Sequence, residues 1–320
     1  MSLPPTPLAP AAINTRAAHG GRVSRLAALS ARVDSLQAQI STSKRVNTPA
    51  DDPIAFARAA TLRRAQSADT AAQRSLDAAS ARLRTTDITL GSITTLVQRA
   101  TELALAGSNG TLSPEDRAIL ALEVSELAKS FAGLAETRSA DGDALFGGAQ
   151  SPGPAYAPDA NGIMQWQGNG TPPPIMAAGS LIATGLTGPQ AFGKTTAPSL
   201  AKPNGTADLF ASFAGLAEAL TEPDPALRAE ALAARLTEIQ GHNGRLADAQ
   251  AQVGARSARL EAEADRLAIQ RLARSTDLSR LEDLDMVEAV ANLQRLLTVL
   301  EAAQASFART STSSLWDELR

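Results

Sequence analysis

The sequence contains no cysteine, which excludes disulfide bonds and thiolate metal sites. Aromatic residues make up only 3% of a chain that is 44% hydrophobic, and a core of leucine and alanine with few rings suits thin helical bundles. No run of about 18 apolar residues is present, so no helix is expected to span a bilayer. The net charge of −3 argues against a general electrostatic grip on nucleic acid.

Residues that carry chemistry are also scarce. The two histidines, His19 and His242, have no second ligand at metal-binding spacing, and His242 is expected on a helix surface or at the edge of a helix seam. No nucleotide-binding loop, nucleophile elbow or zinc-protease motif occurs. We therefore expect no catalytic residue, no cofactor and no metal. Three Asn-Gly-Thr tripeptides begin at Asn109, Asn169 and Asn204, and they favour turns over glycosylation sites.

What the sequence does contain is helical periodicity, clearest near its end. Between Asp285 and Phe307, large apolar residues alternate in steps of four and three, the narrow seam that two helices bury against each other. The seam residues are Met286, Val290, Leu293, Leu297, Leu300 and Phe307. A helix of this length is marginal alone in water, so the seam needs a partner.

A matching seam lies near the opposite end of the chain. Its residues are Leu26, Leu29, Val33, Leu36 and Ile40. Two seamed helices at opposite ends can pair within one molecule, or between molecules to build a polymer. We expect the function to depend on these two seams, and their eleven residues are the predicted assembly interface.

Longer seams occupy the interior of the chain. Leucine or valine recurs every seven residues from Leu76 to Val97. A second series with the same spacing runs from Ile239 to Leu267. The first helix of this part is expected to start at Pro53, where Asp51 and Asp52 precede a proline at the first helical position, and to end near Gly107. A break is expected between residues 274 and 283.

From Asp141 to about Pro203, glycine and proline accumulate and helical periodicity disappears. Residues 162–168 and 180–184 read as short strands between turns, and a flexible loop is the alternative. The predicted fold is mainly α, an elongated antiparallel helical bundle or coiled-coil rod built from both termini, with a small β-rich or irregular insertion at its distal tip. The domains are a disordered arm (1–21), terminal helices (22–48 with 284–320), a helical rod (49–140 with 207–283) and the distal insertion (141–206).

Several stretches, in the same order, resemble the flagellin superfamily. Residues 40–58, ISTSKRVNTPADDPIAFAR, resemble its N-terminal signature, and residues 96–113, LVQRATELALAGSNGTLS, resemble its second conserved block. Residues 145–148 look like the entry to the distal domain, and residues 249–261 and 284–290 resemble the returning C-terminal helices. The closing residues 314–319, SLWDEL, are more similar to hook-associated members than to filament flagellins. One departure is Ser43, which stands where the family commonly has glycine.

The resemblance implies a structural subunit of the bacterial flagellum that joins hook to filament. Members of the family are exported unfolded through the flagellar type III apparatus, without a cleaved signal, and assemble as a ring. The implied partners are identical subunits, a neighbouring hook-associated protein, flagellin and an export chaperone, with neither nucleic acid nor a membrane span. The implied location is extracellular. Two alternatives stay open: a filament flagellin, and a cytosolic coiled-coil signalling or adaptor protein.

Overall fold

The structure, a computed structural model, describes residues 15–149, 153–159, 164–177, 180–194 and 207–318. Long helices dominate, and two antiparallel strand pairs, β1–β2 and β3–β4, lie in the middle of the chain. The elements are α1 (Thr15–Thr42), α2 (Pro53–Gly107), α3 (Pro114–Ala135), β1 (Tyr156–Pro158), β2 (Met164–Trp166), β3 (Pro174–Ala177), β4 (Ser180–Ala183), α4 (Gly188–Phe192), α5 (Leu209–Thr221), α6 (Pro225–Glu282) and α7 (Met286–Glu318). The predicted mainly helical class with a small strand-containing insertion is confirmed. None of the described helices has the length and hydropathy needed to cross a membrane.

The chain divides into two compact units. One comprises residues up to 67 together with those from 271, and the other comprises residues 68–270. These limits differ from the predicted ones, which placed the terminal helices at 22–48 and 284–320. The difference arises because α2 and α6 each continue through the limits of the two units, so that the terminal unit includes the start of α2 and the end of α6. The predicted break between residues 274 and 283 is therefore wrong, since α6 continues to Glu282.

The core of the 68–270 unit is built on the apolar residues that recur every seven positions along α2 and α6. Their side chains are almost completely buried and belong to one continuous cluster. The repeat residues in it are Leu76, Leu83, Leu90, Val97, Ile239, Leu246, Val253 and Leu260. Removing each from water contributes about 1.5–3 kcal/mol. At Gly107 a Cβ would lie 2.1 Å from the Leu220 side chain, so α2 ends where only glycine fits.

The helix α3 begins as its sequence indicates. Ser113 accepts a hydrogen bond from the backbone N–H of Asp116, whose side chain returns to the Ser113 backbone, and Pro114 opens the helix. This capping box satisfies two amide donors that a helix start leaves unpaired. Arg99 of α2 pairs with Glu123 of α3 at 2.7 Å, so the two helices lie side by side after the turn at residues 108–113.

The described parts of the 141–206 insertion pack into this same core. Phe192 lies with its ring centroid 5.2 Å from that of Phe131 on α3 and 4.7 Å from that of Phe146. Tyr156 on β1 packs 4.8 Å from Phe210 on α5. These aromatic contacts join the described parts of the insertion to α3 and α5, and the limits of a distal domain at 141–206 stay a prediction.

Candidate assembly surface

The predicted terminal seams meet, because α1 and α7 pack against each other. Val33 on α1 and Ala289 on α7 are buried, at 5% and 3% exposure. Eight further seam residues are only half-buried. These are Leu26, Leu29, Leu36, Ile40, Leu293, Leu297, Leu300 and Phe307. Two helices alone thus leave much of their apolar stripe in contact with water.

Met286 and Val290 lie outside this packing. Each is 40% exposed, so the expectation that they are buried in the helix pair is wrong for the single chain. The seam prediction considered only large apolar residues and overlooked the alanines of α7. The face of α7 that turns inward includes Ala289, Leu296 and Ala303, which are buried or half-buried and alternate with the shared seam residues. With Val287, which is also exposed, Met286 and Val290 form an apolar patch at the start of α7, called here the α7 patch.

At the other end of the pair, a groove opens between the two helices. Leu26, Leu29 and Phe307 give it an apolar floor, and Arg22 and Arg25 border it. Both arginines are exposed, and neither has an ion-pair partner among the described residues. The groove therefore offers apolar contact and positive charge in one place.

The end of α1 is a left-handed turn centred on Ser43. Its φ of 56° lies in the region that favours glycine. The Lys44 N–H donates to the Gln39 carbonyl at 3.1 Å, and the Ser43 N–H donates to the Ile40 carbonyl at 3.2 Å. These two bonds are the Schellman pattern that closes many helices. Ser43 therefore adopts the left-handed turn for which the family commonly uses glycine.

The turn then pairs with the end of α6. Lys44 and Asp283 form an antiparallel bridge, in which the Arg45 N–H donates to the Glu282 carbonyl at 2.6 Å. The Leu284 N–H donates back to the Ser43 carbonyl at 3.2 Å. Residues 43–45 and 282–284 are called here the joint. It fixes the start of α7 relative to the end of α1.

A buried carboxylate reinforces the joint. Glu282 is 2% exposed, and its oxygens form ion pairs with Lys44 at 2.8 Å and with Arg63 of α2. A buried charge is costly unless it is paired, so these two cations are what allow Glu282 to sit there. Periodicity carried no signal for this carboxylate, which lies in the segment that was expected to break the helix.

Of the two acidic residues before α2, Asp52 caps the helix, whereas Asp51 holds the turn that precedes it. Asp52 accepts from the Ala55 N–H at 2.9 Å, and Asp51 accepts from the Thr48 N–H at 2.7 Å. Backbone hydrogen bonds lower the pKa of both carboxyl groups, because donors stabilise the charged form. No group of acidic or histidine residues in the described part of the chain could hold a metal ion.

His242 is not on the surface. It is 4% exposed in the 68–270 unit, and its Nε2 lies 3.0 Å from the Ser212 hydroxyl of α5. Burial, aided by the charge of Arg245, lowers its pKa to about 4. Histidine was expected to be peripheral because a single polar residue in a helix gives no signal of what lies opposite it.

Regions near both ends of the chain match known protein families. Residues 13–151 match the bacterial flagellin N-terminal helical region, and residues 236–315 match the bacterial flagellin C-terminal helical region. The chain belongs to the flagellin superfamily. The two matched regions include the whole joint, all of α1, and α7 as far as residue 315.

Named relatives lie within the hook-associated branch of the superfamily. Flagellar hook-associated protein 3 of Escherichia coli (strain K12) is 28% identical over 87% of this chain and 90% of its own length. The protein of the same name from Salmonella typhimurium is 28% identical over 77% of this chain and 74% of its own length. The crystal structure of flagellar hook-associated protein 3 from Legionella pneumophila is 16% identical, has a TM-score of 0.61, and aligns over 69% of this chain and 98% of its own. At that identity it shows a shared fold.

The stretch that resembles the flagellin signature coincides with the joint and the caps around it. Residues 40–58 contain the left-handed turn at Ser43, the cations that pair with Glu282 or Asp52, and the aspartate that caps α2. The signature residues of this chain thus have a structural role: they form the turn from α1 into α2 and bind the end of α6 beside that turn.

Proposed function

We propose that this chain is the junction subunit between hook and filament of a bacterial flagellum, a structural protein located outside the cell. The names of the two relatives and the order of the family regions support this assignment. Export through the flagellar type III apparatus belongs to the same proposal. A chain without cysteine has no disulfides to form before it is threaded through a channel.

The observation that carries the proposal is the unfinished core of the terminal pair. Most residues of its seam remain half-exposed, and the α7 patch is exposed. Exposed apolar patches of this kind are typical of protein interaction surfaces. Placing a further helix over this face buries the remaining area, and each large side chain that becomes fully buried adds up to about 1.5–3 kcal/mol.

The mechanism is assembly through α1 and α7. Identical subunits form a ring in which neighbouring pairs cover one another's apolar faces, and a hook-associated protein and flagellin contact the two sides of the ring. The predicted interface consists of Leu26, Leu29, Val33, Leu36, Ile40, Met286, Val290, Leu293, Leu297, Leu300 and Phe307. Before assembly, an export chaperone covers the C-terminal helix. No step requires a catalytic residue or a cofactor.

Charging the seam tests this mechanism. In Leu297→Asp, a carboxylate replaces a half-buried side chain of the α1–α7 face. We expect the purified variant to keep its helical content, while flagella from cells that carry it lack the subunit. Thr237→Asp, which adds the same charge to an exposed position of α6, serves as the matched control. Normal incorporation of the Leu297 variant would contradict assembly through this surface.

Deleting the protein from cells tests the junction itself. Electron microscopy is expected to show hooks without attached filaments, and the chain is expected as a trace band in flagella sheared from normal cells. A dominant band would instead favour a filament flagellin. Absence of the chain from flagella would favour the cytosolic coiled-coil alternative.

A further inference from the structure

The turn between α2 and α3 contains an exposed Asn-Gly pair that assembly leaves unexplained. Asn109 is exposed, and a Cβ at Gly110 would meet no atom within 4 Å. Of the two other Asn-Gly-Thr tripeptides, the one at Asn169 lies within the described residues and the one at Asn204 lies outside them. The chain therefore provides two identical tripeptides, at residues 109 and 169, whose surroundings can be compared.

The Asn109 side chain is folded back over the peptide that follows it. Its Oδ1 accepts hydrogen bonds from the Thr111 N–H at 3.2 Å and from the Thr111 hydroxyl at 2.9 Å. An amide oxygen bonded to the N–H two residues ahead holds its Cγ beside the intervening peptide nitrogen, here that of Gly110. Within the described part of the chain, the Gly110 N–H makes no hydrogen bond that would restrain it.

We propose that Asn109 is a site of spontaneous intramolecular deamidation, in which the amide becomes an acid without an enzyme. The Gly110 nitrogen loses its proton to water or hydroxide and bonds to Cγ of Asn109. Negative charge then develops on Oδ1, where the two Thr111 donors stabilise it as they would an oxyanion. The side-chain nitrogen takes up a proton from water and leaves as ammonia, and a five-membered succinimide remains.

Water then opens this ring at either carbonyl. The products are aspartate, or isoaspartate with one additional methylene in the backbone. The overall change is one amide plus one water giving one carboxylate and one ammonium ion, so no oxidant or cofactor is required. The reaction adds a negative charge to the turn that precedes α3, and the isoaspartate product also lengthens that turn.

Asn169 has the same sequence in a restraining environment. Its Oδ1 accepts from the N–H of Ala149, a residue 20 positions away, at 2.9 Å. Its own N–H donates to the Gly147 carbonyl at 3.2 Å, and a Cβ at Gly148 would lie 2.2 Å from its carbonyl oxygen. Attack by the Gly170 nitrogen requires the bond to Ala149 to break and the packed backbone to move. The folded structure thus slows this site.

The test is site-resolved mass spectrometry of the full folded chain after incubation in mildly alkaline buffer. Tryptic cleavage after Arg99 and Arg117 isolates Asn109 in a single peptide. We expect deamidation at Asn109 to be at least about tenfold faster than at Asn169, and the difference to shrink when the chain is unfolded in urea. Equal rates in the folded chain, or faster conversion of Asn169, would overturn the proposal.

Two variants separate the nucleophile from the charge stabilisation. Gly110→Ala places a methyl group in open space, so folding is retained, and the added Cβ hinders the attack. We expect its rate to fall at least about tenfold, and an unchanged rate would rule out attack by this nitrogen. Thr111→Val keeps the backbone donor and removes the hydroxyl donor. A rate that falls several-fold supports the oxyanion role of Thr111, and an unchanged rate overturns it.

Discussion

The two compact units of this chain contain the same kind of apolar repeat, but most of its side chains are fully buried in one unit and only half-buried in the other. In the 68–270 unit, Leu83 and Leu90 of α2 and Ile239 of α6 are at most 1% exposed, because other helices and the insertion surround them. In the terminal unit, Leu297 and Leu300 follow the same four-and-three spacing but are only half-buried in the pair that α7 forms with α1. Periodicity specifies which face is apolar, and the number of neighbouring elements decides how deeply it is buried.

This difference has a functional consequence. A core that is complete in one chain stabilises the fold, whereas a core that is incomplete in one chain stabilises an assembly when another chain completes it. Fully buried apolar side chains therefore report on folding, and the half-buried seam of α1 and α7 reports on association. The following predictions separate these two roles.

The largest effect is expected from truncating a core leucine. Leu90→Ala removes a completely buried side chain from α2, and lost burial together with the cavity lowers the free energy of unfolding by about 2–5 kcal/mol. Leu297→Ala removes a half-buried side chain whose neighbours can rehydrate, so we expect a loss of under about 1.5 kcal/mol in the single chain. Urea unfolding followed by circular dichroism measures both. Equal losses would show that the terminal pair is already a complete core.

Acid is expected to weaken the 68–270 unit through His242. Burial holds its folded pKa at about 4, below its ordinary value of 6.5. Between these values the unfolded chain binds a proton that the folded chain does not, so stability falls as the pH drops from about 6.5 to about 4. The full loss is about 3 kcal/mol. Unfolding free energies measured across this pH range give the slope directly.

The control for acid sensitivity removes the titrating group. His242→Leu replaces the imidazole with an apolar side chain that cannot titrate. We expect the variant to show a shallower pH dependence of stability than the parent chain between pH 6.5 and 4. Carboxylates elsewhere titrate in both proteins, so the difference between the two curves isolates the histidine. The charged groups near the site, Arg245 and the Arg235–Glu238 pair, remain in both chains. Identical slopes would mean that His242 is already free to protonate.

The sequence predicted the helices well because their signals are local and repeated. The α2 limits at Pro53 and Gly107 follow from a proline at the first helical position and a turn, and the repeats of α2 and α6 identify buried side chains. It also predicted β2 and β4, two of the four strands in the described residues. The start of α1 at Thr15 was missed, because Gly20 and Gly21 read as the end of a loose arm and instead lie within the helix.

The parts that the sequence could not predict depend on contacts between distant residues. Glu282 lies more than 200 positions from its partners Lys44 and Arg63, and a single acid in a polar segment does not reveal a buried pair. The exposure of Met286 was missed for another reason: the buried residue of this turn of α7 is Ala289, on the adjacent face. Small residues give a weak hydrophobic signal in sequence even where they allow the closest approach of two helices.

A smaller effect is expected from neutralising Glu282. Glu282→Gln removes the charge that holds Lys44 and Arg63 at the joint, but both cations are 42% exposed and can regain water. We therefore expect local destabilisation of about 1–2 kcal/mol, less than for a fully buried pair. Amide hydrogen exchange at residues 43–45 and 282–284 measures it, because local opening is visible there without global unfolding. Glu301→Gln, at an exposed position of α7, is the matched control.

The smallest effect is a gain at Ser43. Its left-handed φ of 56° is costly for a residue with a Cβ, and glycine at this position removes that cost. Ser43→Gly preserves both backbone bonds of the turn, so we expect about 0.5–1 kcal/mol of added stability at the joint, reduced by the greater freedom of glycine in the unfolded chain. Slower hydrogen exchange of the Lys44 and Leu284 amides would show it. Ser41→Gly, inside α1, should have the opposite effect, because there glycine weakens a regular helix. If both variants destabilised the joint, the serine side chain rather than the backbone geometry would be what the turn requires.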